Sequence, residues 1–300
     1  MPLPAGIRMV GTDLDGTLLL PDGSVGERTR AALAALRRTH VDLVIVTGRP
    51  TRWISPVVAM TGHEGVGIAA NGAVVLDLSD GRVTEVSAFS PEVGLEVVDR
   101  LRAVFPGVVF AVERARVGDH VGSTRGSAYV DPEPMPEGRA DFALGVGYRP
   151  RWRVPDGVPV GPIEDVLLKG DSVKILARPA EGHSLDADMF WASGAAALDG
   201  LAEATHSNPD DVLLEVSVIG VDKGSALSRV ARAHGLSSDE VAAVGDAPND
   251  LPMLRWAGFA CAVANAHPRL LAEADHVLAS NADEGVADLI EAAEAQSERR

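Results

Sequence analysis

Several apolar runs in this chain of 300 residues are too short for helices, and each ends in a polar or acidic turn. Ile7 to Val10 leads into Asp13-Leu14-Asp15-Gly16-Thr17-Leu18-Leu19, and Val41 to Val46 leads into Thr47-Gly48-Arg49-Pro50. Gly67 to Ala70 leads into Asn71-Gly72, and Val241 to Gly245 leads into Asp246-Ala247-Pro248-Asn249-Asp250. Short continuous apolar runs bounded by turn residues read as strands covered on both faces. Helical spacing follows several of them: Glu27 to Arg38 with Leu33 and Leu36 on one face, a helix from Thr51, and Asp250 to Trp256. Phe259 to Val263 and His276 to Ala279 repeat the pattern, and Asp283 to Ala295 closes it as a last helix. Such alternation with short connections predicts an α/β fold built on a doubly wound, mostly parallel, Rossmann-like sheet. Ligands of these sheets bind beyond the carboxyl ends of the strands, where the polar turns of this chain fall.

The rhythm breaks from about Pro91 to Pro209. Glu92 to Val104 and Leu185 to Leu201 read as helices, and Val108 to Val112 and Val173 to Ala177 as strands. Val117 to Asp171 is rich in Gly and Pro with little periodicity, and Val212 to Ile219 reads as a strand with Leu214, Val216 and Val218 on one face. This predicts an inserted α+β domain, 85–209, between two core segments, 1–84 and 210–300. Asn71-Gly72, between Ile68-Ala69-Ala70 and Val74-Val75-Leu76, is also a hairpin signal, with Arg82 to Phe89 as a further strand. Trp152 and Trp191 of the insertion read as buried filler rather than pocket walls.

The turns carry the chemistry. Asp13 and Asp15 lie two apart, on one face of an extended chain. Two adjacent carboxylates repel unless a divalent cation or a shared proton relieves them. A hard cation such as Mg²⁺ takes oxygen ligands, including those of a substrate phosphate. Thr47 offers a hydroxyl and Gly48 close backbone approach, and a following helix would point its amides at an anion. Lys223 falls in the first turn of a helix capped by Asp222, the unfavourable end for a cation, so an anion or carboxylate is expected beside it. Asn249 is suited to cap the next helix, a role that leaves Asp246 unexplained. Three acids, a hydroxyl and an amine without a Ser/His dyad suit metal-assisted phosphoryl chemistry better than acyl transfer. In that chemistry one carboxylate attacks phosphorus to give an aspartyl-phosphate. A second carboxylic acid protonates the leaving alkoxide and then activates water.

In order and content, Asp13-Leu-Asp15-Gly-Thr-Leu-Leu, Thr47-Gly-Arg49, Asn71-Gly72, Lys223-Gly224 and Gly245-Asp246-Ala-Pro-Asn249-Asp250 resemble the motifs of the haloacid dehalogenase-like hydrolases. The insertion, and the tail from Asn265-Ala266 through Asn281-Ala-Asp-Glu284-Gly285-Val286, resemble the Cof-type subfamily with its C2B cap. The resemblance implies a Mg²⁺-dependent phosphatase of a small phosphorylated metabolite, such as a sugar phosphate. Asp13 would be nucleophile and metal ligand, and Asp15 the general acid/base with its backbone carbonyl on the metal. Thr47 and Lys223 would hold the phosphoryl group, bordered by Gly48, Asn71 and Gly72. Asp246 would be a further metal ligand, with Asn249 and Asp250 in support. The insertion matches in placement only, which leaves Glu113, Arg114, Trp152 and Lys174 unranked as determinants of specificity. Phosphoryl transfer to another hydroxyl, by a phosphotransferase or phosphomutase, would use the same groups. A phospho-receiver or non-hydrolytic binding protein is the reading from another class, disfavoured by the acid at Asp15 and by the size of the insertion.

The net charge of −16 argues against nucleic acid or an anionic membrane surface as a partner. No apolar run is long enough to span a membrane, and Met1 to Arg8 lacks the pattern of a secretory leader. Cys261 is the single cysteine, so no internal disulfide framework is expected, which suits a reducing cytoplasm. It reads as a packed strand residue. Oligomeric state is left open.

Overall fold

The computed structural model describes residues 3–121, 141–180, 185–206 and 211–297. The chain runs through β1 (Met9–Thr12), α1 (Glu27–Leu36), β2 (Asp42–Val46), α2 (Ser55–Thr61), β3 (Val66–Ala69), β4 (Val74–Asp77) and β5 (Arg82–Val86). The inserted segment follows, with α3 (Pro91–Val104), β6 (Val109–Glu113), β7 (Phe142–Gly145), β8 (Val160–Gly161), α4 (Ile163–Leu167), β9 (Lys174–Arg178), α5 (Ala187–Ala197), β10 (Ala202–Thr205) and β11 (Leu214–Val218). The βα alternation resumes with α6 (Lys223–Ala233), β12 (Val241–Gly245), α7 (Leu251–Trp256), β13 (Phe259–Val263), α8 (Pro268–Glu273), β14 (His276–Leu278) and α9 (Gly285–Ser297).

Eight strands form the first sheet in the order β14-β13-β12-β1-β2-β3-β4-β5, parallel from β14 to β3 and antiparallel at the β3-β4-β5 edge. β1, buried at every position, pairs with β2 on one side and β12 on the other. The winding direction reverses there, and a crevice opens where the connections part to the two sides. Continuous burial of β1, β2 and β12 explains why these runs are apolar without alternation. Helix α1 packs on α9 and α6 on α7. Cys261 sits fully buried in β13, and burial pushes its thiol up to about 12. The predicted hairpin forms, with Ala69 opposite Val74. Its turn places Ala70, Asn71 and Gly72 in the left-handed region, at φ 51, 57 and 102.

The second sheet has the order β10-β11-β9-β6-β7-β8 and is antiparallel apart from the β7–β8 pair. Side chains alternate across it. Phe110, Val112, Ile175, Ala177, Leu214 and Val216 join Val97, Leu101 and Phe190 in an apolar layer with α3 and α5. The other face carries Glu113, Lys174, Leu176 and Glu215, which cover the carboxyl ends of the first sheet's strands. This is an inserted α+β cap on a Rossmann-like core.

Some boundaries differ from expectation. Residue 209 and its neighbour lie outside the described residues, but β11 hydrogen-bonds to β9 and β10 and so belongs to the cap sheet, not to a core segment beginning at 210. Its apolar Leu214 and Val216 are needed by the cap's own core. At the other end, β5 straddles the expected 84/85 boundary as an edge strand of the first sheet. The last helix starts at Gly285 because Glu284 adopts φ 56. The helix expected from Thr51 is a single 3₁₀ turn, Thr51–Trp53, followed by α2. Within the Gly/Pro-rich stretch, β7, β8 and α4 were not legible, being too short to show a period, while 122–140 lie outside the described residues. Among the described residues, no helix is long and apolar enough to cross a membrane.

Candidate active site

Asp13 follows directly on β1. Its N–H donates to the Val244 carbonyl of β12 (3.0 Å), which extends the parallel ladder and delivers the carboxylate into the crevice. The chain turns at Gly16 (φ 77), where a Cβ would run into the Asp246 carboxylate, so both the turn and the approach require glycine. Thr17 Oγ1 then donates to Asp246 Oδ1 (2.7 Å). Two asparagines from the tail hold the turn from behind. Asn265 Nδ2 donates to the Gly16 carbonyl and Asn281 Nδ2 to that of Leu19, both at 2.8 Å.

Lys223 enters from the first turn of α6. Asp222 caps this helix, its Oδ1 accepting from the Ser225 N–H (2.7 Å), and the turn so fixed aims Lys223 inward. Its Nζ donates to Asp13 Oδ1 (2.7 Å) and Asp250 Oδ1 (2.5 Å). The three groups are 1%, 4% and 0% exposed, so these bonds are largely shielded from solvent. The second oxygen of Asp250 accepts from the N–H groups of Asp246 and Ala247, both at 3.0 Å, and fixes the loop after β12. Asp13, Asp246 and Asp250 thus bring carboxylate oxygens within 4.8 Å of one another.

One lysine does not neutralise this cluster. Burial and then the charge of Asp250 hold the Asp13 carboxyl well above its usual range, against the opposing pull of Lys223. Burial and Asp250 likewise push Asp246 up to about 6. Burial alone would depress the Lys223 ammonium, but Asp13 and Asp250 outweigh it and raise its pKa. An all-oxygen donor set crowded with carboxylates that one lysine does not balance fits a hard divalent cation such as Mg²⁺. Asp13 and Asp246 are the residues suited to hold it, since Asp250 is committed to Lys223 and two backbone N–H groups.

The opposite wall comes from the loops after β2 and β3, which the backbone laces together. Asn71 N–H donates to the Thr47 carbonyl (3.1 Å) and Ala70 N–H to that of Arg49 (2.9 Å). Thr47 Oγ1 accepts from the Arg49 N–H (3.0 Å), which leaves its own hydrogen to donate. A Cβ on Gly48 would meet the Asn71 side-chain oxygen at 2.8 Å, so glycine lets these loops close on each other. Asn249 does not cap α7, as its sequence position had suggested. Its Nδ2 donates across the crevice to Asn71 Oδ1 (3.1 Å).

Asp13, Asp15, Thr47, Gly48, Lys223 and Asn249 line one pocket of 520 Å³. Asn71, Asp246 and Asp250 stand behind that lining, whereas Gly72 packs against the Asp222 backbone. The Asp15 carboxylate turns outward and is gripped by Arg49, with Nε to Oδ2 at 2.7 Å and Nη2 to Oδ1 at 2.5 Å. Of the unranked residues, Glu113, Trp152 and Lys174 line the pocket, while Arg114 donates to the Val166 carbonyl. Trp152 is therefore a pocket wall rather than filler. It meets Trp53 edge to face at 5.2 Å, and the Arg52 guanidinium lies over Trp53, Phe142 and Trp152 while donating to Glu113 (3.0 Å). Arg49 was quoted within its motif without a role, and Arg52, Arg178 and Glu215 escaped notice in the sequence. A signal existed for two of them: Arg178 ends β9 after the apolar run Ile175-Leu176-Ala177, and Glu215 lies between Leu214 and Val216 in β11.

The sequence profile described as haloacid dehalogenase-like hydrolase matches residues 10–120 and 193–290. The chain belongs to the haloacid dehalogenase-like hydrolases. The HMP-PP phosphatase of Escherichia coli O157:H7 (strain EC4115 / EHEC) is 28% identical over 270 residues, which covers 90% of this chain and 89% of that one. The HMP-PP phosphatase of Shigella boydii serotype 4 is 27% identical over the same length, 90% of this chain and 93% of its own. Among solved structures, BT1666 from Bacteroides thetaiotaomicron superposes with a TM-score of 0.72 at 21% identity, covering 97% of each chain. The subclass IIB sugar phosphatase BT4131 gives 0.68 at 18%, covering 95% of this chain and 98% of its own. At these identities the structural likeness is one of fold, and it extends over core and cap together.

Proposed function

We propose that this hydrolase is a Mg²⁺-dependent phosphatase that cleaves a small phosphorylated metabolite through an aspartyl-phosphate on Asp13. The observation that carries this reading is the setting of Asp13: a buried carboxylate at the switch point of the sheet, one oxygen held by Lys223, beside an all-oxygen acidic cluster and open to a pocket under the cap. The HMP-PP phosphatases among its relatives support the class of substrate.

Mg²⁺ bound at Asp13 and Asp246 would supply charge neutralisation to the phosphoryl oxygens. Lys223 fixes Asp13 by one oxygen, so the other is presented to phosphorus. Thr47 donates its hydroxyl hydrogen to a second phosphoryl oxygen. The Asp13–phosphorus bond forms as the bond from phosphorus to the leaving oxygen breaks, and Asp15 gives that oxygen its proton. Asp15 then takes a proton from water, whose oxygen attacks phosphorus, releasing phosphate and restoring Asp13. Asp15 can act only once Arg49 lets go of it, and a second anionic group on the substrate would compete for that guanidinium.

Phosphate release from HMP-PP and a panel of sugar phosphates, with Mg²⁺ or with chelator, tests this for wild type and Asp13→Asn. Release is expected to need both Mg²⁺ and Asp13. Undiminished release by Asp13→Asn would overturn the reading.

A further inference from the structure

Two charged side chains are buried in the seam between cap and core, outside the reacting cluster. Lys174 opens β9 and is 2% exposed; Glu215 lies on neighbouring β11 and is 5% exposed. Lys174 Nζ donates to Glu215 Oε2 (2.6 Å) and also to the Gly48 carbonyl of the core (2.6 Å). Asn71 Nδ2, again from the core, donates to the same Glu215 oxygen (2.7 Å). Asn249 Nδ2 completes the line by donating to Asn71 Oδ1 (3.1 Å).

Burying an ion pair costs desolvation that mutual attraction alone rarely recovers, so its remaining hydrogen bonds matter. Here those bonds go to the two core loops that face the phosphate site. The Gly48 carbonyl belongs to the loop that carries Thr47, and the Asn71 carboxamide lies against Gly48, where a Cβ would meet its oxygen at 2.8 Å. Glu215 therefore also fixes which way the Asn71 amide faces, nitrogen to the cap and oxygen to Asn249. Both anchors come from the cap, so the core loops lack them whenever the cap is undocked.

We propose that Glu215 and Lys174 are cap-borne positioning residues for the phosphate-binding loops, so that the anion site at Thr47 and Gly48 is fully ordered only with the cap docked. This rests on the phosphatase reading for its kinetic consequence, but not for its binding consequence. Both residues line the pocket, but their hydrogen bonds go to core groups, and it is through those groups that each acts.

The test compares two neutral double variants with wild type. Lys174→Met with Glu215→Gln keeps an acceptor for Asn71. Lys174→Met with Glu215→Leu removes it while filling the space, so packing and cap docking survive without a buried charge. Thermal melts and small-angle scattering would establish that both are folded and docked. The measurements are the Kd of inorganic phosphate by calorimetry in Mg²⁺, and kcat on the best substrate of the panel. The Leu variant is expected to weaken phosphate binding and lower kcat by about tenfold each, because displaced loops no longer meet the phosphoryl oxygens correctly. The Gln variant is expected to recover the part that the Asn71 anchor supplies and to stay below wild type by the part lost with the Lys174 bond to the Gly48 carbonyl. Wild-type phosphate affinity in a folded, docked Leu variant would reduce the pair to structural glue and overturn the proposal. A wild type that binds phosphate but releases none from any ester would refute the phosphatase reading alone, and the binding comparison would still decide this one. If the Leu variant instead fails to dock, adding Asn71→Ala to an otherwise wild-type cap supplies the decision: unchanged phosphate affinity there overturns the proposal.

Discussion

Lys223 Nζ stands 2.7 Å from Asp13 Oδ1, across 210 residues of sequence, and joins the two halves of the core at the point where chemistry is expected. The same ammonium bonds Asp250, so it is the positive centre of a buried carboxylate pair. Replacing it by Met leaves both carboxylates without their partner. Lys223→Met is expected to lower metal-free stability by about 3 kcal/mol, since removing one member of a buried ion cluster strands the others. Added Mg²⁺ should recover part of that loss, while kcat/KM stays down by about a hundredfold because Asp13 and the phosphoryl group are no longer fixed. Lys223→Arg should not rescue, as a planar guanidinium does not fit a slot where the lysine is 1% exposed. Urea melts with and without Mg²⁺, beside steady-state rates, check this. Equal stability and rate in Lys223→Met would remove Lys223 from the site.

The acidic cluster gives Mg²⁺ binding a defined pH dependence. Asp13 is held above its usual range and Asp246 is pushed to about 6 by burial and by Asp250, so without a cation the folded protein retains protons that ordinary carboxylates have lost. A cation must displace them. Binding is therefore expected to release protons, most at and below about pH 6, and to weaken as pH falls through that value. The corresponding stability sign is a penalty: absent below the unfolded carboxylate value of 3.8, growing as pH rises toward about 6, and relieved by Mg²⁺. Calorimetric titrations of Mg²⁺ in buffers of different ionisation enthalpy count the protons. An affinity flat between about pH 5 and about pH 7, with no proton released, would contradict the cluster's assignment (the limits being about one unit either side of the expected transition).

Much of the core was legible because its signals are local. A covered strand of a parallel sheet must be apolar throughout, and the polar residue just past its end has no packing reason to be there, so Asp13, Thr47 and Asp246 stood out. Lys223 stood out by opposing the helix dipole. Asn249 was misjudged as a cap because sequence shows its place in the chain but not the Asn71 carboxamide opposite it. The cap was less legible for a different reason. Its pocket-facing residues come from one face of the cap sheet and from the loop after β7 that carries Trp152, and the partners of Lys174 and Glu215, Gly48 and Asn71, lie far away in the chain. Lys174, opening β9, was visible only as an unranked candidate, and Glu215 only as a charge between the apolar Leu214 and Val216 of β11, a pattern that an ordinary solvated face also produces. The boundary at β11 failed likewise: which sheet a strand joins is decided by its neighbours, not its own composition.

His63 carries a prediction that is independent of the active site. It follows α2 and its C-terminal Gly62, is 7% exposed, and lines a separate cavity of 410 Å³ with Leu33, Leu36 and Leu43. Burial, helped by the nearby Arg37 charge, pushes its imidazole from 6.5 down to about 4. Because the folded pKa is depressed, the contribution to stability is complete above pH 6.5, where both states are neutral. It is lost as pH falls from 6.5 to about 4, where the unfolded chain takes a proton that the folded one refuses, and is constant below. The span corresponds to roughly 3 kcal/mol at about 1.4 kcal/mol per pKa unit. The acidic cluster titrates over part of the same range with the opposite sign, so the wild-type curve alone mixes the two. The difference between wild type and His63→Gln isolates the imidazole: denaturant melts from about pH 3 to about pH 7.5 in Mg²⁺ should show the variant's stability falling less steeply on the acid side (limits about one unit beyond the titration at each end). Parallel curves for the two proteins would mean that His63 takes up its proton equally in the folded and unfolded states.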